Sequence, residues 1–260
     1  MSAVLATYSL WHRELLRFLR QPSRLAGAFA MPLIFWLLIG TGLSSSFRLP
    51  TGPATVNYLE YFFPGTVVLL VLFGAIFSTF SVIDDRNEGF LQGVLVAPVG
   101  RGALVLGKVL GGATLAWLQG MLVLVLAPAA GITLNLEVVL AAAAVLALLA
   151  VAMTSLGFAF AWQIDSTQGF HAIMNVVLLP MWFLSGAFFP VSGAPTWLEW
   201  IMRLNPLSYG TTAFRQVLYL GSTPTAEAPS SLVVCLAVLV VWCLLCIALD
   251  LWVVRRGIRA

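Results

Sequence analysis

Long uncharged apolar runs constrain this chain more than any other feature. A membrane-spanning helix needs roughly 20 apolar residues with few or no charges. Reading between charges gives six candidates. The first lies between Arg24 and Arg48, and the second between Glu60 and Asp84. The third runs from about Gly107 to Pro128, the fourth from Glu137 to Trp162, the fifth from Phe170 to Phe189, and the sixth from Ser231 to Val254. In hydrocarbon every backbone N–H and C=O must bond inside the protein. The runs therefore predict helices, although several are rich in Val, Ile and Phe. Composition agrees: 61% of the residues are hydrophobic and only 9% are charged, against roughly 25% charged in a soluble domain. Lipid is the solvent that fits.

The expected architecture is an all-α integral membrane protein, a single transmembrane domain over residues 1–260. Its spans lie at about 25–43, 61–83, 105–127, 138–162, 170–189 and 231–254. Lys and Arg set the orientation. With a cytoplasmic N-terminus, Arg13, Arg17, Arg20, Arg24, Arg86, Arg101, Lys108, Arg255, Arg256 and Arg259 lie inside. Arg48, Arg203 and Arg215 lie outside. That bias obeys the positive-inside rule and requires an even number of spans, with both termini cytoplasmic. The net charge of +3 is thus an orientation signal and gives no reason to expect nucleic-acid binding. Basic residues precede the first apolar run, as in a signal peptide. The run is long for one, however, and no Ala-x-Ala site follows it.

Residues 1–24 read as an amphipathic interface helix. Val4, Tyr8, Trp11, Leu15 and Phe18 recur at helical spacing, with Arg13, Arg17 and Arg20 toward lipid head groups. Pro22 ends it, and Pro32 predicts a kink in the first span. Residues 40–57, rich in Gly, Ser, Thr and Pro, read as an external loop. Residues 84–101 open with Asp84-Asp85-Arg86-Asn87-Glu88-Gly89 and continue with Phe90, Leu91, Val94 and Leu95 at helical spacing. Two readings stay open: a short amphipathic helix with acids at its start, or an ordinary solvated connector.

The residues that follow the fifth span, 190–225, are long for a structureless loop. Trp197, Trp200, Tyr209 and Tyr219 suit a membrane interface. Asn205-Pro206 has the form of a helix cap followed by Pro at the first helical position. The expectation is two short helices that dip into the outer leaflet and return; the alternative is an exposed loop.

Most candidate chemistry fails. The stretch from Gly102 to Lys108 nearly matches a phosphate-binding loop but lacks the final Ser or Thr. Lys108 is read as a positive-inside anchor. Gly107 and Gly111 form a G-x-x-x-G that would admit another helix closely, a pattern also expected by chance in so small-residue-rich a segment. His12 and His171 are isolated, and no cluster has metal-ligand spacing. Cys235, Cys243 and Cys246 read as small apolar residues of the sixth span. Asp84 and Asp85 read as a salt-bridged surface. No ionisable residue falls at a span centre, and Asp250 is placed at a helix end beside Arg255 and Arg256. A proton- or sodium-coupled transporter usually needs a mid-membrane carboxylate or broken helices. Energy is therefore expected from outside the chain.

Two segments carry a family resemblance. The first is Glu88-Gly89-Phe90, then Leu95 through Arg101, then Gly107-Lys108-Val109-Leu110. The second is Leu184 through Pro190, then Pro195-Thr196-Trp197-Leu198, then Asn205 through Gly210 and Arg215. Together with the span layout, they resemble the membrane subunits of type-2 ATP-binding-cassette exporters. Gly100 departs from a Ser often found before the Arg.

The resemblance implies a permease with no catalytic, metal or cofactor site of its own. ATP and Mg would sit on a separate ATPase partner, and a second permease copy would complete the assembly in a bacterial or archaeal cytoplasmic membrane. It implies an ATPase-facing coupling segment containing Arg86, Glu88, Gly89, Phe90, Leu91, Pro98 and Arg101. It also implies an interface helix with Trp11, Arg13, Arg17 and Arg20, and an external gate of Gly186, Phe189, Pro190, Asn205, Pro206, Tyr209 and Arg215. Met174, Met181, Trp182, Phe183, Phe188 and Phe189 favour a hydrophobic or amphiphilic cargo, with a glycan as the alternative. A passive channel, a secondary transporter or a non-transporting membrane subunit are the competing classes.

Overall fold

The computed structural model describes residues 3–20, 22–43, 57–96, 100–191, 194–220 and 230–256. Most of the expected external loop (44–56), Pro98 of the connector and residues 221–225 of the outer region lie outside the described residues, as do Arg48 and Arg259. The described chain is helical and contains no strand.

An N-terminal helix α1 (Ala3–Leu19) leads into α2 (Pro22–Leu43). Then come α3 (Tyr58–Ser78) and α4 (Phe80–Asn87), which continue each other through Thr79, and the short α5 (Phe90–Val96). The helix α6 (Arg101–Leu124) is followed by a 3-10 turn (Ala127–Ala130) and by α7 (Leu136–Gln163). Helix α8 (Thr167–Trp182) runs into a π-turn (Phe183–Ala187). Two short helices, α9 (Thr196–Leu204) and α10 (Pro206–Leu218), precede the last long one, α11 (Leu232–Arg256).

Five of these stretches are long and apolar enough to cross a membrane: Tyr58–Asn87, Arg101–Leu124, Leu136–Gln163, Thr167–Ala187 and Leu232–Arg256. The span expected at 25–43 corresponds to α2, within which Pro32–Leu43 is apolar but shorter.

Helix α3 is the centre of the bundle. Of its most apolar window 89% is buried inside the protein, against 22% for α11 at the edge. It packs against α2, α6 and α7, while α7 in turn holds α6 and α11. Helix ends are closed by the residues the local sequence supplies. Asn135 accepts a hydrogen bond from the Val138 amide at 2.8 Å, and Ser166 accepts one from Gly169 at 2.9 Å. Helix α10 is tucked against α7, α11 and the π-turn. Helix α9 leaves Trp197 and Trp200 exposed, as suits aromatic residues at a membrane surface.

Candidate coupling and gate sites

The start of the apolar stripe of helix α1 stays exposed, and a neighbouring face seats the helix on the protein. Val4 and Tyr8 are exposed, whereas Ala6, Leu10 and Glu14 are buried, one helical turn apart. That face lies on α6, where Gly107 and Gly111 make room. A Cβ at Gly107 would come within 2.6 Å of Leu10 Cβ, and one at Gly111 within 2.7 Å of Glu14 Cβ. The G-x-x-x-G therefore has a partner within the chain. Trp11 adds a hydrogen bond from its indole to Thr114 Oγ1 at 3.1 Å.

This contact carries Glu14 into a buried ionic cluster. Lys108 donates to Glu14 Oε1 at 2.6 Å, to Asp85 and to Ser81. Arg13 forms a two-pronged pair with Asp85 at 2.8 and 2.7 Å. Arg17 bridges Asp85 at 2.8 Å and Asp84 at 3.2 Å, with Glu88 at 3.7 Å. Lys108, read as a positive-inside anchor, is buried in this cluster, and Asp85 is salt-bridged as expected but fully buried rather than part of a surface. Burying an unpaired charge costs several kcal/mol, so such groups persist only when paired and hydrogen-bonded. Asp85 faces three cations, and its hydrogen bond with Arg13 raises the Arg13 pKa above its ordinary value.

The connector is a helix–turn–helix. Gly89 sits at φ +76°, a left-handed conformation that disfavours other residues, and turns α4 into α5. Phe90 lies beneath the Arg13 guanidinium, 3.8 Å from the ring centroid. Leu91 is wholly buried in the chain's own core, and Glu88 and Gly89 are exposed. Two arginines close helix ends. Arg86 reaches the end of α7, bonding Trp162 O at 2.5 Å, Ile164 O just beyond the helix at 3.3 Å and the Asp165 carboxylate at 2.7 Å. Arg101 does the same for α11, bonding Val254 O at 3.3 Å and Arg255 O at 2.7 Å. Cations there meet the negative end of the helix dipole. Arg20 is exposed, and His12, Arg13, Arg17, Arg20 and Glu88 line an open groove of about 640 Å³.

At the opposite end the fifth span breaks. Pro180 and the π-turn interrupt its hydrogen bonding, and Gly186 takes φ +76°. The freed carbonyls find side-chain donors. Tyr61 donates to Gly186 O at 3.0 Å and Arg215 to the same oxygen at 3.1 Å. Asn205 caps α10 through Leu207 N at 3.0 Å while donating to Met181 O at 2.6 Å. Ser208 bonds Leu184 O at 3.0 Å, and Tyr58 bonds Phe188 O at 2.9 Å. Arg215 also lies 4.3 Å from the Tyr61 ring centroid.

Gly186, Asn205 and Arg215 thus meet in one structure, with Pro206 starting the helix that carries Arg215. Tyr209 turns away to Arg203 O at 2.9 Å, and Phe189 and Pro190 lie half-buried beyond the break. Tyr58, Tyr61 and Ser208 were not anticipated. Their only signal was a polar tip on residues at helix ends near the outer face.

Asp250 is a further correction. It is fully buried between α11 and α7 and is bonded to Ser155, with no pairing to Arg255 or Arg256. Arg256 stacks on Trp252 instead, 3.7 Å from the ring centroid. The near phosphate-binding stretch is the helical start of α6, with its lysine consumed by Glu14 and Asp85.

A helical membrane domain with an ionic connector at one end and a broken span at the other is the frame of a transport permease. The chain matches the ABC-2 type transporter family over residues 6–219 and belongs to it. It is similar to Nodulation protein J of Rhizobium leguminosarum bv. trifolii, 30% identical over 81% of this chain and 80% of the relative. It is also similar to the daunorubicin resistance ABC transporter permease protein DrrB1 of Streptomyces coeruleorubidus, 25% identical over 84% of this chain and 76% of that protein. A putative transport permease, ycf38, of Cyanophora paradoxa is 28% identical over 78% of this chain and 70% of its own length. The chain is accordingly a multi-pass membrane permease subunit of an ABC transporter, and two of these relatives carry the name of transport permease.

Proposed function

We propose that this permease is driven by a separate ATP-binding-cassette ATPase and moves an amphiphilic or glycan cargo outward, working as two copies. In this reading α2 serves as a sixth span, and the termini and the connector lie in the cytosol. ATP and Mg belong to the ATPase, and the membrane is a bacterial or archaeal cytoplasmic membrane.

The observation that carries this reading is the shared carboxylate of Asp85, which ties α1, the connector and α6 into one body. A push on the exposed turn at Glu88 and Gly89 is then delivered to α1 and α6 together instead of bending a loop. At the far end, the π-turn held by Arg215 and Tyr61 is the element that rearranges when the outer path opens. Coupling requires ATP and cargo to favour different members of a two-state equilibrium. The greasy residues that suggested an apolar cargo weaken that part of the case: Met174 and Trp182 pack into the bundle, and Phe188 meets Phe62 edge to face with ring centroids 5.6 Å apart.

The test is reconstitution. The permease should co-purify with a cassette ATPase and support ATP-stimulated transport in vesicles, and Glu88→Ala should weaken transport without lowering thermal stability. If neither association nor stimulated transport occurs, the reading is wrong.

A further inference from the structure

Helix α11 stands at the edge of the bundle, packed on α7, α10 and α6 and uncovered on its other side. Val241, Leu245, Leu249 and Trp252 are exposed at helical spacing, and Arg256 is the next exposed residue in that row. One helix face thus runs down the span as apolar side chains and ends in a cation. The Arg256 guanidinium lies on the Trp252 ring, 3.7 Å from its centroid. Stacking holds the charge in place without neutralising it.

Arg255 is exposed beside it, and Arg101 arrives from the start of α6 to bond Val254 O and Arg255 O. Three arginines gather at one helix end, and among the described residues no carboxylate pairs with any of them. Asp250, the nearest acid along α11, is buried against α7 and bonded to Ser155. By contrast Arg13, Arg17, Arg86 and Lys108, at the same end of the bundle, are each answered by acids. The last carbonyls of a helix repel an anion, but here Arg101 already engages two of them.

We propose that this end of α11 binds one anionic phospholipid in the leaflet bordering the connector. The phosphate sits among Arg255, Arg256 and the remaining donors of Arg101, and an acyl chain lies along Val241, Leu245, Leu249 and Trp252. Arginine and phosphate match as charge-assisted, two-pronged partners. A soluble protein partner would meet the arginines alone, because Leu249 and Trp252 lie within the apolar helix Leu232–Arg256. A lipid satisfies both halves of the face. The proposal goes beyond the transport reading and does not depend on it.

The test is native mass spectrometry of the purified full chain in detergent, titrated with dioleoylphosphatidylglycerol or dioleoylphosphatidylcholine, which differ only in the head group. The unmodified protein should hold the phosphatidylglycerol more tightly. Arg255→Gln with Arg256→Gln should weaken that binding at least about tenfold, since each arginine at a membrane surface contributes to anionic-lipid attraction, and should leave phosphatidylcholine binding alone. Arg203→Gln, an exposed arginine at the far end of the bundle, is the control and should change neither. Trp252→Leu keeps the net charge and the apolar contact but removes the stacking ring, and should weaken phosphatidylglycerol binding by roughly threefold. Inorganic phosphate should not displace the lipid. Equal affinity for the two lipids, an equal loss in Arg203→Gln, or no loss in either the double arginine variant or Trp252→Leu would overturn the site. Displacement by inorganic phosphate would assign the arginines to a free anion and overturn the lipid.

Discussion

Glu14 of the N-terminal helix and Lys108 at the start of α6 meet at 2.6 Å, both buried, although 94 residues separate them. Asp85 joins the same ammonium group from α4. The pair converts an interface helix, which surface attraction alone would leave free to slide, into a fixed part of the bundle.

Removing Lys108 should therefore be costly out of proportion to one lost contact. Lys108→Met leaves Glu14 and Asp85 crowded without their shared cation, a change worth about 3–5 kcal/mol for a broken buried pair. The melting temperature of the detergent-purified protein should fall sharply. Adding Glu14→Gln should recover part of the loss; no recovery would mean that the two residues are not energetically linked.

Close approach of α1 depends on bare backbone at Gly111. Gly111→Val places side-chain atoms where Glu14 Cβ already sits, 2.7 Å from the ideal Cβ position, and overpacking of this kind costs about 1–3 kcal/mol. Helix α1 should become accessible to protease. Gly93→Ala is the matched control: its Cβ enters open space in α5, so stability should hold or rise slightly.

Much of this was legible in the sequence. Uncharged runs located the long helices because a backbone in lipid has few alternatives, and the Asn205-Pro206 dipeptide marked the start of α10 because cap chemistry is local. The ionic cluster was not legible. Lys108 and Asp85 each look like membrane-flanking charges until tertiary packing brings α1 across them, and helix periodicity says nothing about which face meets which neighbour. The apolar stripe of Val4 and Tyr8, read as facing lipid, gave no hint, for the same reason, that the face holding Glu14 points inward to the bundle. Arg86 and Arg101 read as connector charges, yet their roles as caps depend on where α7 and α11 end.

Gly186 should resist replacement. Gly186→Ala forces a side chain into the left-handed region, at a cost of about 1–2 kcal/mol, and misaligns the carbonyl shared by Tyr61 and Arg215. Transport should drop more than stability does. Arg215→Lys should lower transport as well, since a lysine lacks the planar guanidinium that both bonds the carbonyl and stacks on Tyr61. Transport assays paired with melting curves check both.

Asp250 makes the opposite prediction. Its only hydrogen-bond partner among the described residues is the neutral hydroxyl of Ser155, with no cation paired to it. Removing its charge therefore breaks no ion pair. Asp250→Asn, which keeps the side-chain shape and an acceptor for Ser155, should leave the melting temperature close to that of the unmodified protein. A large loss in the melting curve would show that the carboxylate is charged and paired in the membrane.

The claim that the exposed turn after α4 receives the ATPase is tested most directly by cross-linking. A Glu88→Cys variant, treated in intact membranes with a short thiol-reactive cross-linker, should yield a permease–ATPase adduct whose formation changes when ATP is added. Glu88→Cys that reacts only with a membrane-impermeant reagent applied from outside the cell, and gives no adduct, would contradict the orientation and the coupling route together.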